Sequence, residues 1–438
     1  MPATAAISYT RESFDTATER LMGRHAAGEA FLEAMARHAA DQPLYCFAQG
    51  NAEFEHFDRQ VASVGHAAAQ PRHIARIEGA RLSEPGCLFV PNPILAAPAF
   101  ERRRHGAARY SLCGITHTVA SHQIMDGIGA YLTAPLEPWD ALICTSRCVK
   151  AVVHSLFERQ ASYLEEHLGV RPTTPVELPI IPLGVNCDRL ATSDITAALR
   201  ANWRTRLGMR GSDIAALFFG RLSYHAKANP APMLLGLEAA RRTAPNDARV
   251  YLILAGWFAN ETLERGFREA SAALCPSIEV KLVDGRTKEA RDSLWHAADL
   301  FVSLSDNIQE TFGLTPIEAM AASLPVVVSD WDGYRDTVMH GETGFLIPTL
   351  SAPAGAGRDI AARHAVGVDS YDRYVGNASL GTAVDVRATA EALGRLIGDA
   401  GLRARMGRAA ADHARRVFDW RVVIAAYRTL WAALVDKI

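Results

Sequence analysis

Glu310 and Glu318 bracket a turn, Phe312-Gly313-Leu314, that leads from an apolar run into a helical one. A helix N-terminus offers unpaired N–H groups and a positive dipole end, which suits an anion such as a diphosphate. Carboxylates beside it repel that anion, and instead suit neutral hydroxyls attached to it, those of a sugar or a ribose. The spacing therefore predicts a site for a ligand that carries both. A local alternative exists for Glu318. Thr315-Pro316-Ile317-Glu318 also reads as a capping box with Pro316 at the first helical position. Glu310 has no comparable local role.

The whole run from Glu310 to Asp330 resembles the signature of retaining glycosyltransferases of family 4, which have the GT-B fold. The matching residues are Glu310, Gly313, Glu318-Ala319-Met320-Ala321, Ser323, Pro325 and Val326-Val327-Val328, followed by Gly333 and Gly341-Glu342-Thr343-Gly344-Phe345-Leu346. Ser323 stands where glycine is usual, and Asp336 where glutamate is usual. The resemblance is specific over roughly 215–350 and weaker elsewhere. It implies a nucleotide-sugar donor, with Glu318 on ribose hydroxyls, Glu310 on sugar hydroxyls, and Gly313, Leu314 and Thr315 at the phosphate-facing helix start.

The same resemblance assigns cations to the departing diphosphate. Gly220-Arg221-Leu222 follows an apolar run, and Lys227 lies five residues beyond that turn, one later than in the common version. Preorganised cations at a leaving group lower the barrier, Arg as a planar fork and Lys as a point charge. His117, at the end of Tyr110–His117, resembles a family histidine beside the transferring sugar. Gly28 resembles a glycine where the first loop enters a helix, allowing close approach of a phosphate or acceptor. Arg24 is either a contact to a charged acceptor or a surface residue. Asp330-Trp331-Asp332 imitates the metal-binding Asp-x-Asp of another fold, but its context is an ordinary turn. No metal or other cofactor is expected.

Strand-like apolar runs at 215–219, 250–255, 278–283, 300–304 and 325–329 alternate with helical stretches at 233–242, 261–273, 286–298 and 317–323. That alternation predicts a doubly wound parallel sheet, whose ligands bind beyond the carboxyl ends of the strands. The first half repeats it at 44–48, 87–90, 110–115, 141–144 and 178–182, with helices over about 27–39 and 147–167. The expected fold is α/β of GT-B type: two Rossmann-like domains facing a cleft. The expected divisions are an acceptor-side domain 1–190, a donor domain 191–415, with a linker near 186–212, and a helix 416–438 crossing back to the first domain. Residues 351–383 read as a long loop, either an insertion shaping the acceptor pocket or a linker.

The 438 residues exceed what one core supports, and a net charge of −2 gives no pull toward nucleic acid. The N-terminus lacks the pattern of a secretory signal, and no apolar run reaches the length of a membrane span. Seven scattered cysteines read as reduced thiols in a cytoplasmic protein. Arg102-Arg103-Arg104-His105 reads as a solvated helix face, or as a peripheral contact with anionic lipid at the inner membrane face. The functional expectation is transfer of a sugar, with retention, from a UDP- or GDP-sugar to the hydroxyl of a glycan, lipid-linked or small-molecule acceptor. A sugar-nucleotide epimerase and a catalytically silent partner subunit are the alternatives. Oligomeric state is open.

Overall fold

The computed structural model describes residues 4–14, 23–65, 69–245 and 247–438, with the side chains of 23–25 outside that description. The chain divides into two compact units, Met1–Gly184 with Phe418–Ile438, and Val185–Val417.

The first unit holds strands β1 (Ala6–Ser8), β2 (Pro43–Ala48), β3 (Gln70–Ala75), β4 (Cys87–Val90), β5 (Ser111–Ile115) and β6 (Ala141–Ile143). They form one parallel sheet in the order β3-β2-β1-β4-β5-β6. The second unit holds β7 (Ile214–Phe219), β8 (Val250–Gly256), β9 (Glu279–Asp284), β10 (Leu300–Ser303), β11 (Val326–Ser329) and β12 (Gly344–Ile347). Their order, β12-β11-β10-β7-β8-β9, is the same doubly wound sequence read from the opposite edge. Central strands of such sheets are buried on both faces and read as continuous apolar runs. All residues of β7, β8, β10 and β11 are buried.

Three strands of the two parallel sheets lay outside the expected set for physical reasons. β1 spans only three residues. β3 is a polar edge strand carrying Pro71, tolerated where no neighbour needs its N–H. β12 opens on Gly344, and a side chain there would overlap the Val326 carbonyl.

Several expectations are corrected. Residues 178–182 form no strand, only an isolated bridge from Ile180 to Cys144. The stretch near 186–212 is not a free linker, because the helix Asp194–Arg206 is bound into the second unit. There Trp203 Nε1 donates to Ser293 Oγ at 2.8 Å, and Arg204 donates to the Asp299 carboxylate and the Ala297 carbonyl. The long segment 351–383 contains the helices Arg358–Ala365 and Tyr371–Ser379. Their junction is pinned by Arg363 donating to Asp369 at 2.8 Å, and Ser370 caps the second helix. Arg102 does not belong to a solvated face. It is fully buried and donates to both Asp140 oxygens, at 2.6 and 2.8 Å, and to the Tyr110 carbonyl.

The helix Trp420–Val435 packs on the first unit, against the helix Gly23–His38 and strands β4 and β5. Its contact is an aromatic cluster: Phe31 and Phe89 lie 4.9 Å apart, Tyr427 lies 5.3 Å from Phe31, and Trp431 lies 5.9 Å from Phe89. Edge-to-face and tilted pairs of this kind add to the area they bury.

Candidate active site

The strand ends of the second unit converge on one hydrogen-bonded cluster. Gly220 and Arg221 leave β7, and the chain loops back through Lys227. The Arg221 guanidinium donates to the Ala226 carbonyl at 3.0 Å, which braces the loop from inside. Beyond β10, Ser305 Oγ donates to the Lys227 carbonyl at 3.1 Å and Asn307 Nδ2 to the His225 carbonyl at 2.9 Å. The Asp306 carboxylate accepts from the Asn229 N–H at 3.2 Å. Three residues of one strand exit thus hold the backbone of the other. The result aligns Lys227 Nζ with Glu310 Oε2 in a half-buried ion pair.

Sequence reading missed Tyr334, which follows the Asp332-Gly333 turn after β11. Its buried phenol lies 2.8 Å from Ser303 Oγ and donates to Glu310 Oε2 at 3.3 Å. Burial, the Glu310 charge and this bond to Glu310 push the phenol pKa well above its ordinary value. The available signal was Gly313, whose φ is +91° and whose Cβ position is filled by the Tyr334 ring. Only glycine meets both conditions.

Gly313 is also the N-cap of the helix Leu314–Ala321, which has no side-chain cap bond. The capping-box reading of Thr315 and Glu318 is therefore corrected. The helix starts two residues earlier than Pro316 at its first position would require, so Glu318 falls in its second turn. The buried Thr315 hydroxyl has no hydrogen-bond partner. Desolvation pushes the Glu318 carboxyl up to about 7, with Arg189 and Arg291 pulling it back. Neither motif glutamate caps the helix.

Asp332 is held in a left-handed conformation, φ +40°, and burial with the neighbouring Glu310 pushes its pKa up to about 8. Among the described residues, no group of three or more His, Cys, Asp or Glu is placed to hold a metal ion.

Three expected site residues lie in the first unit. His117 is half-buried just past β5, after Thr116, whose hydroxyl donates to the Ile143 carbonyl at 3.1 Å and fixes the strand end. Gly28 does not open a helix. It lies inside the helix Gly23–His38, and its bare Cα faces the Ser13 carbonyl, where a side chain would overlap backbone. Its glycine is explained by that internal packing. Arg24 lies on the same helix, and its side chain lies outside the described residues.

The chain has structural neighbours along its whole length. It superposes on Anabaena HepE, solved in complex with UDP, with a TM-score of 0.61 at 14% identity, over 96% of this chain and 98% of that one. Sucrose-phosphate synthase from Thermosynechococcus elongatus matches at TM-score 0.56 and 17% identity, over 99% of both chains. The fold is GT-B, as the two equivalent doubly wound sheets require.

Residues 200–358 match the family model of glycosyl transferases group 1. A curated relative from Geodermatophilus obscurus, named D-inositol 3-phosphate glycosyltransferase, is 32% identical over 194 residues, 43% of this chain and 40% of the relative. Its namesake from Streptomyces bingchenggensis is 28% identical over 281 residues, 63% of this chain and 51% of the relative. The chain thus spans about half or less of the length of these two relatives.

Proposed function

We propose that the protein is a glycosyltransferase that takes a sugar from a nucleotide-diphosphate sugar and passes it, with retention, to an acceptor hydroxyl. The observation that carries this reading is the cluster at the carboxyl edge of the second sheet. There the Lys227–Glu310 pair lies beside the N-terminus of the helix Leu314–Ala321. In this reading the helix start, Arg221 and Lys227 hold the diphosphate, Glu310 takes sugar hydroxyls, and Glu318 takes ribose hydroxyls. The leaving phosphate accepts the acceptor's proton, so no residue is assigned as a base and no metal is required. In this reading His117 is an acceptor-binding residue.

A uridine donor is the first choice, because HepE was solved with UDP and with UDP-glucose. The relatives' names make D-inositol 3-phosphate the first acceptor to test. Among the described residues no helix is long and apolar enough to cross a membrane, and a cytoplasmic setting is part of the proposal.

The test is calorimetric titration with UDP, GDP, ADP and dTDP, followed by proton NMR of the product's anomeric signal. One diphosphate should bind and the donor's anomeric configuration should persist in the product, with EDTA changing neither. Glu310→Gln and Lys227→Ala should each abolish transfer in a folded protein. Absence of binding by all four diphosphates, or turnover of donor alone to an epimer, would overturn the reading.

A further inference from the structure

The segment 351–383 builds one wall of a cavity. The cavity has a volume of about 700 Å³ and lies wholly within the second unit, within the ~300–1,000 Å³ range of ligand clefts. Its other walls are the helix Glu261–Leu274 and the loops that follow β7 and β10. Among the groups facing it are Tyr224, Phe267, Asp306, Asn377, Ser379 and Thr382.

Asp306 is the distinctive member. It is 5% exposed, and while one carboxylate oxygen accepts from Asn229, the other, Oδ1, has no partner. A buried carboxylate oxygen without a donor is costly, so such a group calls for a partner. Burial pushes its pKa up to about 6, which leaves it mainly an acceptor at neutral pH.

Two carboxylates against one ion-paired guanidinium and the His225 ring disfavour a phosphate-bearing occupant. Asp306 and Asp372 face the cavity with Arg373, and Arg373 is ion-paired to Asp369 at 3.3 Å. Beside these charged groups stand the Asn229 and Asn377 amides, the Ser379 and Thr382 hydroxyls, the His225 imidazole and the rings of Tyr224 and Phe267. Vicinal hydroxyls donate well to a carboxylate, and a flat C–H face packs on aromatic rings.

We propose that this cavity is a second binding site, for a neutral polyhydroxylated ring such as a sugar unit, with the Asp306 carboxylate receiving its hydroxyls and the Tyr224 and Phe267 rings packing on it. The site is joined to the cluster around Lys227. Tyr224 and His225 lie on the loop that carries Lys227, and the residue after Asp306, Asn307, holds the His225 carbonyl. A ring bound here stiffens the loop that presents the cation.

The experiment uses the full chain saturated with UDP, and methyl α-glucoside and maltotriose as probes in saturation-transfer NMR and titration. Binding at millimolar concentration should persist under UDP. Asp306→Asn and Asn377→Ala should each weaken it by about tenfold, with Asn377→Ala leaving UDP affinity within about twofold. Asn377 is half-buried on the insertion's second helix, so its variant reports even where Asp306→Asn melts early. Three results would each overturn the proposal: no binding of either probe, competition by UDP, or indifference to both substitutions. Failure of UDP itself to bind would overturn the choice of a uridine donor alone, because the probe measurement then proceeds without it.

Discussion

The phenol of Tyr334 donates to Glu310 Oε2, the same oxygen that pairs with Lys227, while its ring occupies the space above the bare Cα of Gly313. One residue therefore sets both the turn and the carboxylate within the Glu-x-x-Gly motif. Tyr334→Phe keeps the ring and removes the donor. The expected outcome is a fall of about tenfold in kcat/KM, with melting temperature little changed. Steady-state kinetics beside a melting curve checks it, and an unaltered rate would remove Tyr334 from the positioning of Glu310.

Lys227 and Glu310 are both largely removed from water, with side chains 19% and 12% exposed. Deleting one partner strands the other's charge, which costs more than the pair contributes. Lys227→Met should destabilise the fold by about 1–3 kcal/mol, and the added Glu310→Gln should restore at least half of that. Chemical denaturation of the two singles and the double measures it. A double variant as unstable as the sum of the singles would show the two groups uncoupled.

The raised pKa of Glu318, about 7 in the folded state, has a definite sign. Between the ordinary carboxylate range and pH 7 the folded chain binds a proton that the unfolded chain has released. Stability is therefore lost as pH rises through that window, and the loss levels off above it. Glu318→Gln removes the effect. Its stabilisation relative to wild type should be larger at pH 8.5 than at pH 5 by on the order of 2 kcal/mol. Denaturant titrations at the two pH values decide the matter, and equal differences would refute the assignment.

Ser323 has φ +63°, a left-handed backbone that favours glycine, at the position where the resembled signature usually carries one. Ser323→Gly should stabilise the protein by about 0.5–1 kcal/mol without altering UDP binding. A melting curve with and without UDP reads both quantities. Lower stability would mean that the hydrogen bond Thr192 donates to Ser323 Oγ, at 3.3 Å, outweighs the strain.

The parts of this architecture that could be read from the sequence are those coded locally. Val250–Gly256 and Val326–Ser329 are unbroken apolar runs because both faces of their strands are covered. The Glu310–Glu318 run was legible because a strand exit, a turn and a helix start are compressed into adjacent residues. What escaped was set at a distance. The bond from Tyr334 to Glu310 joins residues 24 apart. The helix start at Leu314 follows from Gly313's positive φ, which moved the cap away from Thr315. The helices in 351–383 escaped because neither presents a wide apolar stripe: Arg358–Ala365 buries no side chain, and Tyr371–Ser379 buries only Val375 and Ser379.

The helix Trp420–Val435 completes the core of the first unit from the far end of the chain. During synthesis, Phe31 and Phe89 leave the ribosome long before Tyr427 and Trp431 exist to cover them. The first unit must therefore wait, with an apolar face open, while the whole of the second is made. Order of emergence and order of completion are reversed.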